Sequence, residues 1–184
     1  TANGCSMSPH FDVPAFETVP AQARFYFLRH GESESNRKGI IQGRLDPPLS
    51  AVGRSHAEAA GKWFASRDVD CVFTSPLRRA ADTAAAIATA ADLPDPEKLD
   101  DLEELDTGIF SGLVFTEIEG KFPAEWERFR RYSWESVPEA ERIDSLHRRS
   151  LSVWLRLIGE ARAGSRTLVC VTHAGMLQWI IRAS

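Results

Sequence analysis

The sequence holds no apolar run approaching the roughly 20 residues that span a bilayer, which excludes a membrane-spanning helix within it. It also lacks a basic excess. Its net charge is −4, whereas nonspecific nucleic-acid binding needs a basic footprint, so neither nucleic acid nor membrane is expected as a partner. Cysteine is scarce: Cys5, Cys71 and Cys170 form no CxxC pair and no metal-ligand spacing, which argues against a thiolate metal site or a disulfide framework. Cys71 and Cys170 lie inside apolar runs, where a thiol acts as a small hydrophobe. The absence of a disulfide framework favours a reducing compartment. The first twenty residues show no basic stretch leading into an apolar core; no secretory signal is read there, and a cytoplasmic location is expected.

What is present suits a single globular domain. A chain of 184 residues is long enough to bury most of the surface it exposes when unfolded. Residues 1–23 scatter Pro9, Pro14 and Pro20 among small polar residues without a sustained period and are expected to form an arm or tail outside the core. The pattern changes at Arg24, and residues 24–184 are expected to form the folded domain. Phe25-Tyr26-Phe27-Leu28, Cys71-Val72-Phe73 and Leu168-Val169-Cys170-Val171 are short continuous apolar runs, of the kind that central parallel strands show when both faces are covered.

Helical spacing fills the intervals. Ser50 is placed to cap a helix over 51–67 that turns Ala57, Ala60, Trp63 and Phe64 inward. An alanine-rich helix is expected over 76–91, with Ile87 on its buried face and Pro94 past its end. A third, over 144–162, points Leu146, Val153, Trp154, Leu157 and Ile158 inward and stops at Gly164. The alternation predicts an α/β fold, a three-layer sandwich with a mostly parallel central sheet and helices on both faces. Residues 108–143 fit this least well. They carry Phe115, Phe122, Trp126, Phe129, Tyr132 and Trp134 among many charges and read as a partly helical excursion, helical near 123–131, that covers one edge of the sheet.

In an open α/β sheet the ligand crevice lies outside the carboxyl ends of the strands. Three apolar runs are followed by Arg29-His30-Gly31-Glu32, by Thr74-Ser75-Pro76-Leu77-Arg78 and by Thr172-His173-Ala174-Gly175. Two histidines and two arginines thus converge on one rim. Arginine presents a planar fork of donors suited to a phosphate or carboxylate, and histidine can attack as a nucleophile. Gly31 and Gly175 would let backbone approach a ligand closely, and a helix starting near Gly31 could aim N–H groups at an anion.

Other motifs fail on single residues. Gly31-Glu32-Ser33-Glu34 begins a GxSxG elbow, but the fifth residue is Ser35. Gly61-Lys62 lacks the following Ser or Thr of a P-loop, having Trp63, and His56 replaces its first glycine. No HExxH occurs, and the adjacent arginines disfavour a cation between His30 and His173. His10, His56 and His147 read as structural histidines, and the aromatic residues of the excursion as packing.

The segment "FLRHGESESN" resembles the signature of the histidine phosphatase superfamily, which includes the cofactor-dependent phosphoglycerate mutases. "GRLDPPLSAVGRSHAEAAG", "FTSPLRRAADTAAAIA", "LEELDTGIFSG" and "VTHAGML" resemble its later motifs in the same order, from Phe25 to about Leu177. The resemblance implies a phosphoglycerate mutase-like fold with 24–184 as catalytic domain, and a small phosphorylated metabolite as substrate. His30 would be the nucleophile that becomes phosphohistidine. Arg29, Arg78 and His173 would bind the phosphoryl group, and Glu104 (rather than its neighbour Glu103) would be the general acid. Asn36, Gly43 and Arg44 would line the substrate mouth. The family pattern continues past the second histidine with a further strand and helix, which the residues up to Ser184 do not include.

These roles make physical sense together. Nearby arginines keep an attacking imidazole neutral, His173 can stay cationic against phosphate oxygens, and a bound dianion helps Glu104 keep its proton. Phosphoryl transfer needs positioning and charge stabilisation, so no metal or cofactor is expected. The mutases carry a larger insertion after the acid-bearing loop than Gly112 to Asp144 allows, and a tryptophan where this chain has Glu34. A phosphomonoester hydrolase is therefore preferred over a mutase-type phosphotransferase, and over a non-catalytic phosphate-binding module. Pro138-Glu139-Ala140-Glu141-Arg142 departs from the family's Pro-Gly-Glu-Ser stretch, and oligomeric state is not legible.

Overall fold

The structure, a computed structural model, describes residues 16–20 and 22–184. A short 3₁₀ turn, Phe16–Thr18, leads into strand β1 (Arg24–Arg29) and a one-turn helix α1 (Glu34–Arg37). Helix α2 (Ala51–Phe64), strand β2 (Cys71–Thr74), helix α3 (Arg78–Ala90) and a two-residue strand β3 (Glu97–Lys98) follow. Then come α4 (Phe115–Lys121), α5 (Pro123–Tyr132), the long α6 (Ile143–Ala163), β4 (Thr167–Thr172) and α7 (Ala174–Arg182).

The described strands form a parallel sheet in the order β1-β4-β2-β3. Alternation along the strands assigns their side chains to two layers. Phe25, Phe27, Phe73, Leu168 and Cys170 face Val153, Trp154 and Leu157 of α6 and Met176 and Ile180 of α7. Tyr26, Leu28, Val72, Val169 and Val171 face Phe64 of α2 and Ala80, Ala84 and Ile87 of α3. Both faces being covered explains why the runs are continuously apolar rather than alternating. β4 is buried at every residue. Among the described residues β1 pairs only with β4, and the side chains of Phe25 to Leu28 are half-buried.

Local signals explain the helix ends. The Ser50 hydroxyl accepts the Gly53 N–H at 3.0 Å, capping α2, and Gly164, at φ 122°, ends α6. α3 starts later than expected because Pro76 and Leu77 are spent on the turn out of β2. On α2 the buried stripe is Gly53, Ala57, Gly61 and Phe64, while Trp63 is 45% exposed. Its indole lies under the Arg67 guanidinium, 3.1 Å from the ring centroid, which lets a large ring rest on the surface.

Two expectations about the flanking regions need correction. Phe16 and Val19 pack on the α6–α7 core instead of leaving it, and the Phe16 ring meets Trp154 edge-on at 4.8 Å. The arm reading of residues 1–15 and 21 lies outside the described residues. The excursion does not cover a sheet edge. Phe110, Ile118 and Val137 bury one another beneath Ile41, Phe122, Trp126, Phe129 and Trp134 in a separate small core, joined to the loop after α1 through the Ile41–Leu113 and Gly112–Ile41 backbone bonds.

Candidate active site

The parallel register brings the rim together. Arg29 pairs with Thr172, and Thr74 with Val171; the next hydrogen bonds run from His30 N–H to Thr172 O at 3.0 Å and from Ser75 N–H to Val171 O at 3.1 Å. His30, His173 and Ser75 therefore lie side by side, one step beyond three strand ends. A cavity of about 260 Å³ opens there, lined in part by Arg29, His30, Arg79, Glu104, Trp134 and Gly175. Larger clefts exist on the surface; chemistry and burial single this one out.

His30 is 7% exposed. Its Nδ1 lies 2.6 Å from the Gly31 carbonyl oxygen. A carbonyl only accepts, so Nδ1 carries the ring proton. Nε2 is then a lone pair, and it accepts the Arg79 Nε–H at 3.2 Å. Burial, reinforced by the Arg79 and Arg29 charges and opposed by the Gly31 bond, lowers the His30 pKa to about 4. His30 is a neutral imidazole with its nucleophilic nitrogen oriented by the fold.

The second arginine of the rim is Arg79, not Arg78. Arg78 lies on the outer side of α3, beside Leu49, Glu58 and Asp82. Arg79 is 1% exposed and donates to Leu45 O at 2.6 Å and Gly43 O at 2.9 Å besides His30. Those carbonyls fix its fork while leaving further N–H groups for an anion. Arg29 borders the same cavity, and its guanidinium carries no hydrogen bond or ion pair to another described residue.

His173 is fully buried. Its ring centroid lies 5.0 Å from that of His30, and its Nε2 is 2.8 Å from Ser75 Oγ. Burial first, then the charges of Arg79, His30 and Arg149, push its pKa far below the usual histidine range. Burial outweighs any benefit of the charge, so the buried ring favours its neutral form.

Glu104 sits at the N-terminus of α7. Its carboxylate accepts the N–H groups of Leu105 (2.9 Å), Gly175 (3.2 Å) and Met176 (3.0 Å). Gly175 is required for this seat: a Cβ there would lie 2.5 Å from Glu104 Oε1 and 2.4 Å from Leu105 Cδ2. The glycine admits a carboxylate, not ligand backbone. Gly31 likewise serves packing, since a Cβ would lie 2.4 Å from Gly53 O, and its N–H goes to Thr83 Oγ1. The helix expected near Gly31 begins only at Glu34. Glu103 points away from the cavity toward Arg44, at 3.5 Å.

The mouth residues divide. Asn36 borders the cavity, and its Oδ1 accepts from the Ser33 N–H and hydroxyl, each at 3.0 Å. Gly43 lines the cavity at φ +50°, a left-handed conformation that favours glycine. Arg44 does not line it. It borders a neighbouring cleft, paired with Glu103 and with Glu141 at 3.3 Å, and Glu141 is itself gripped by Arg149 at 2.7 Å. Arg149 also donates to the Asp101 and Glu103 carbonyls, each at 2.8 Å, so this ion network holds the loop that presents Glu104.

Sequence reasoning passes over Arg79, Gln178, Ser75 and the wall role of Trp134. The first was legible from helical phase: stepping back by fours from Ile87 along the buried stripe of α3 reaches Thr83 and then Arg79. His56 is exposed on α2 and His147 buried on α6; His10 lies outside the described residues. No cluster of metal-ligating side chains occurs among the described residues.

The chain is 35% identical over 156 residues to phosphoserine phosphatase 1 of Hydrogenobacter thermophilus, covering 82% of this chain and 70% of that protein. It is 32% identical to glucosyl-3-phosphoglycerate phosphatase of Mycolicibacterium vanbaalenii, covering 84% of this chain and 70% of that one. A solved mycobacterial glucosyl-3-phosphoglycerate phosphatase complexed with VO₃ superposes with a TM-score of 0.77 at 27% identity, covering 85% of this chain and 78% of that one. Residues 25–184 match the histidine phosphatase superfamily (branch 1), and the chain belongs to that family.

Proposed function

We propose that the protein is a phosphomonoester hydrolase that works through a phosphohistidine on His30. The observation that carries this reading is the neutral His30 imidazole, its Nδ1–H held by Gly31 O and its Nε2 lone pair turned to a buried arginine. Family membership and the named phosphatases among its relatives support it.

Nε2 attacks phosphorus and the bond from phosphorus to the leaving oxygen breaks. Arg29, Arg79 and the His173 ring hold the phosphoryl oxygens as charge builds on them. Glu104 enters the step protonated, beside the substrate dianion, and gives that proton to the leaving oxygen; in the second half it takes one from the water that attacks the phosphohistidine, which restores the acid. The phosphorylated ring gains positive charge, which strengthens the Nδ1–H bond to Gly31 O. This chemistry needs no metal. The catalytic unit is 24–184, and Asn36 and Gly43 serve the site at its mouth.

The leaving-group side is walled by Ile40, Ile41, Leu105 and Trp134, with amides from Asn36, Gln42 and Gln178. Glu103 and Glu141 hold Arg44 beside it. These features favour a small metabolite whose alcohol half offers an apolar face and hydroxyls. The unpaired state of Cys71 and Cys170 supports a cytoplasmic setting.

The test is phosphate release from p-nitrophenyl phosphate and a panel that includes phosphoserine, 3-phosphoglycerate and sugar phosphates. Release by the wild type and its loss in His30→Ala is expected. Equal release from both proteins contradicts the nucleophile. Faster interconversion of 2- and 3-phosphoglycerate than hydrolysis of either contradicts the phosphatase reading.

A further inference from the structure

Ser75 is fully buried, directly beyond β2, with its hydroxyl 2.8 Å from His173 Nε2. That hydroxyl already accepts the Leu77 N–H at 3.2 Å. His173 Nδ1 is buried and has no hydrogen-bond partner among the described residues. Two proton arrangements satisfy the Ser75–His173 contact, and they leave different groups unsatisfied.

In the first, the serine donates to Nε2 and the ring proton lies on Nδ1; one buried group, the Nδ1–H, has no partner. In the second, Nε2–H donates to the serine. The hydroxyl proton then has no acceptor among the described residues, and Nδ1 becomes an unpartnered lone pair. Each buried, unsatisfied polar group costs on the order of 1–3 kcal/mol, so the first arrangement is preferred. It is also the one that suits the reaction: a phosphoryl group held between His30 and His173 offers only acceptor oxygens, and Nδ1–H can donate to them, whereas a lone pair repels them.

We propose that Ser75 is a positioning residue that holds His173 in the Nδ1-protonated neutral tautomer, making His173 a hydrogen-bond donor to the transferring phosphoryl group without charging it. Burial keeps the ring neutral, and the serine chooses which nitrogen carries the proton. The assignment also gives Ser75 a function beyond its turn. It stands beside His173 because the β2–β4 register places the residues after Thr74 and Thr172 next to each other. The catalytic consequence rests on the phosphatase reading, but the tautomer itself does not.

Nitrogen-15 NMR of the intact protein labelled in its histidine rings reads the tautomer without any substrate. The expected result for wild type is a protonated Nδ1 and an unprotonated Nε2 on His173, near neutral pH. A His173 protonated at Nε2 overturns the proposal. Ser75→Ala removes the donor that favours the Nδ1-protonated ring and is expected to populate the Nε2-protonated one, with kcat falling up to about 10²-fold, the lower end of the loss of one transition-state donor, and KM little changed. Ser75→Thr keeps the hydroxyl and is expected to restore the wild-type ring spectrum and part of kcat. A folded Ser75→Ala protein that keeps both the Nδ1-protonated ring and full kcat also overturns it. Inactivity of every protein on every phosphoester, with the wild-type tautomer as stated, would instead count against the phosphatase reading alone.

Discussion

The cavity joins two regions built on opposite principles. Its floor is backbone-determined: His30 lines it, with buried Ser75 and His173 packed alongside, and the parallel register of three strands sets the three side by side. Its mouth depends on a small aromatic core of Phe110, Ile118 and Val137, with half-buried Trp134 at the boundary. The floor buries charge-bearing groups and suppresses the histidine charges; beside the mouth the charges are paired, in a network that runs from half-exposed Arg44 to the largely buried Glu141–Arg149 pair. On the proposed function this difference becomes a division of labour, in which the sheet carries the chemistry and the excursion selects the alcohol.

Substitutions on the floor should therefore reduce turnover, and those at the mouth should change affinity. The largest effect is expected for His30→Ala, a loss of kcat on the order of 10³-fold or more, measured with p-nitrophenyl phosphate. Gly175→Ala follows. Its Cβ would push Glu104 off the α7 amides, and a misplacement of this kind costs about 10²-fold; unchanged kcat would mean that Glu104 is not the proton donor. Arg79→Lys keeps a charge but loses the fork, with a kcat/KM loss of about 10²-fold, while Arg78→Ala should stay within about 0.5 kcal/mol of wild type in both stability and activation free energy. The reverse ranking would exchange the two arginines.

Trp134→Ala should raise KM several-fold with kcat nearly unchanged, and an equal loss in kcat would erase the distinction between floor and mouth. The smallest effect is a pH dependence of stability. The folded His30 pKa, about 4, is below the ordinary histidine value of 6.5, so between those values the unfolded chain binds more protons and stability rises with pH. His173, depressed further by burial, adds to the same slope. Denaturant titrations from pH 4 to 7 on wild type and His30→Gln should show a shallower slope in the variant.

The floor was legible because strand ends in an α/β sheet announce the ligand crevice, and Arg29, His30 and His173 fall within two residues of the ends of apolar runs. Arg79 was missed for a local reason: the adjacent arginines differ only in helical phase, and the phase becomes clear once Thr83 and Ile87 are known to face inward. The pairing of β1 with β4 was not legible, since a run covered on both faces by helices reads the same whichever strand lies beside it. Trp134 and Arg44 were opaque for a different reason. Whether a side chain borders the cavity or a neighbouring cleft depends on how the excursion folds over the rim and on the Glu103, Glu141 and Arg149 network. Neither has a periodic signature.

The most direct test of the central claim is rapid acid- and alkali-quench of the protein during turnover of a ³²P-labelled phosphoester, followed by mapping of the label. The account predicts an acid-labile, base-stable phosphoryl group on His30 that is absent in His30→Ala. Turnover with the label on another residue, or with none on His30 while the variant hydrolyses at the wild-type rate, would contradict it.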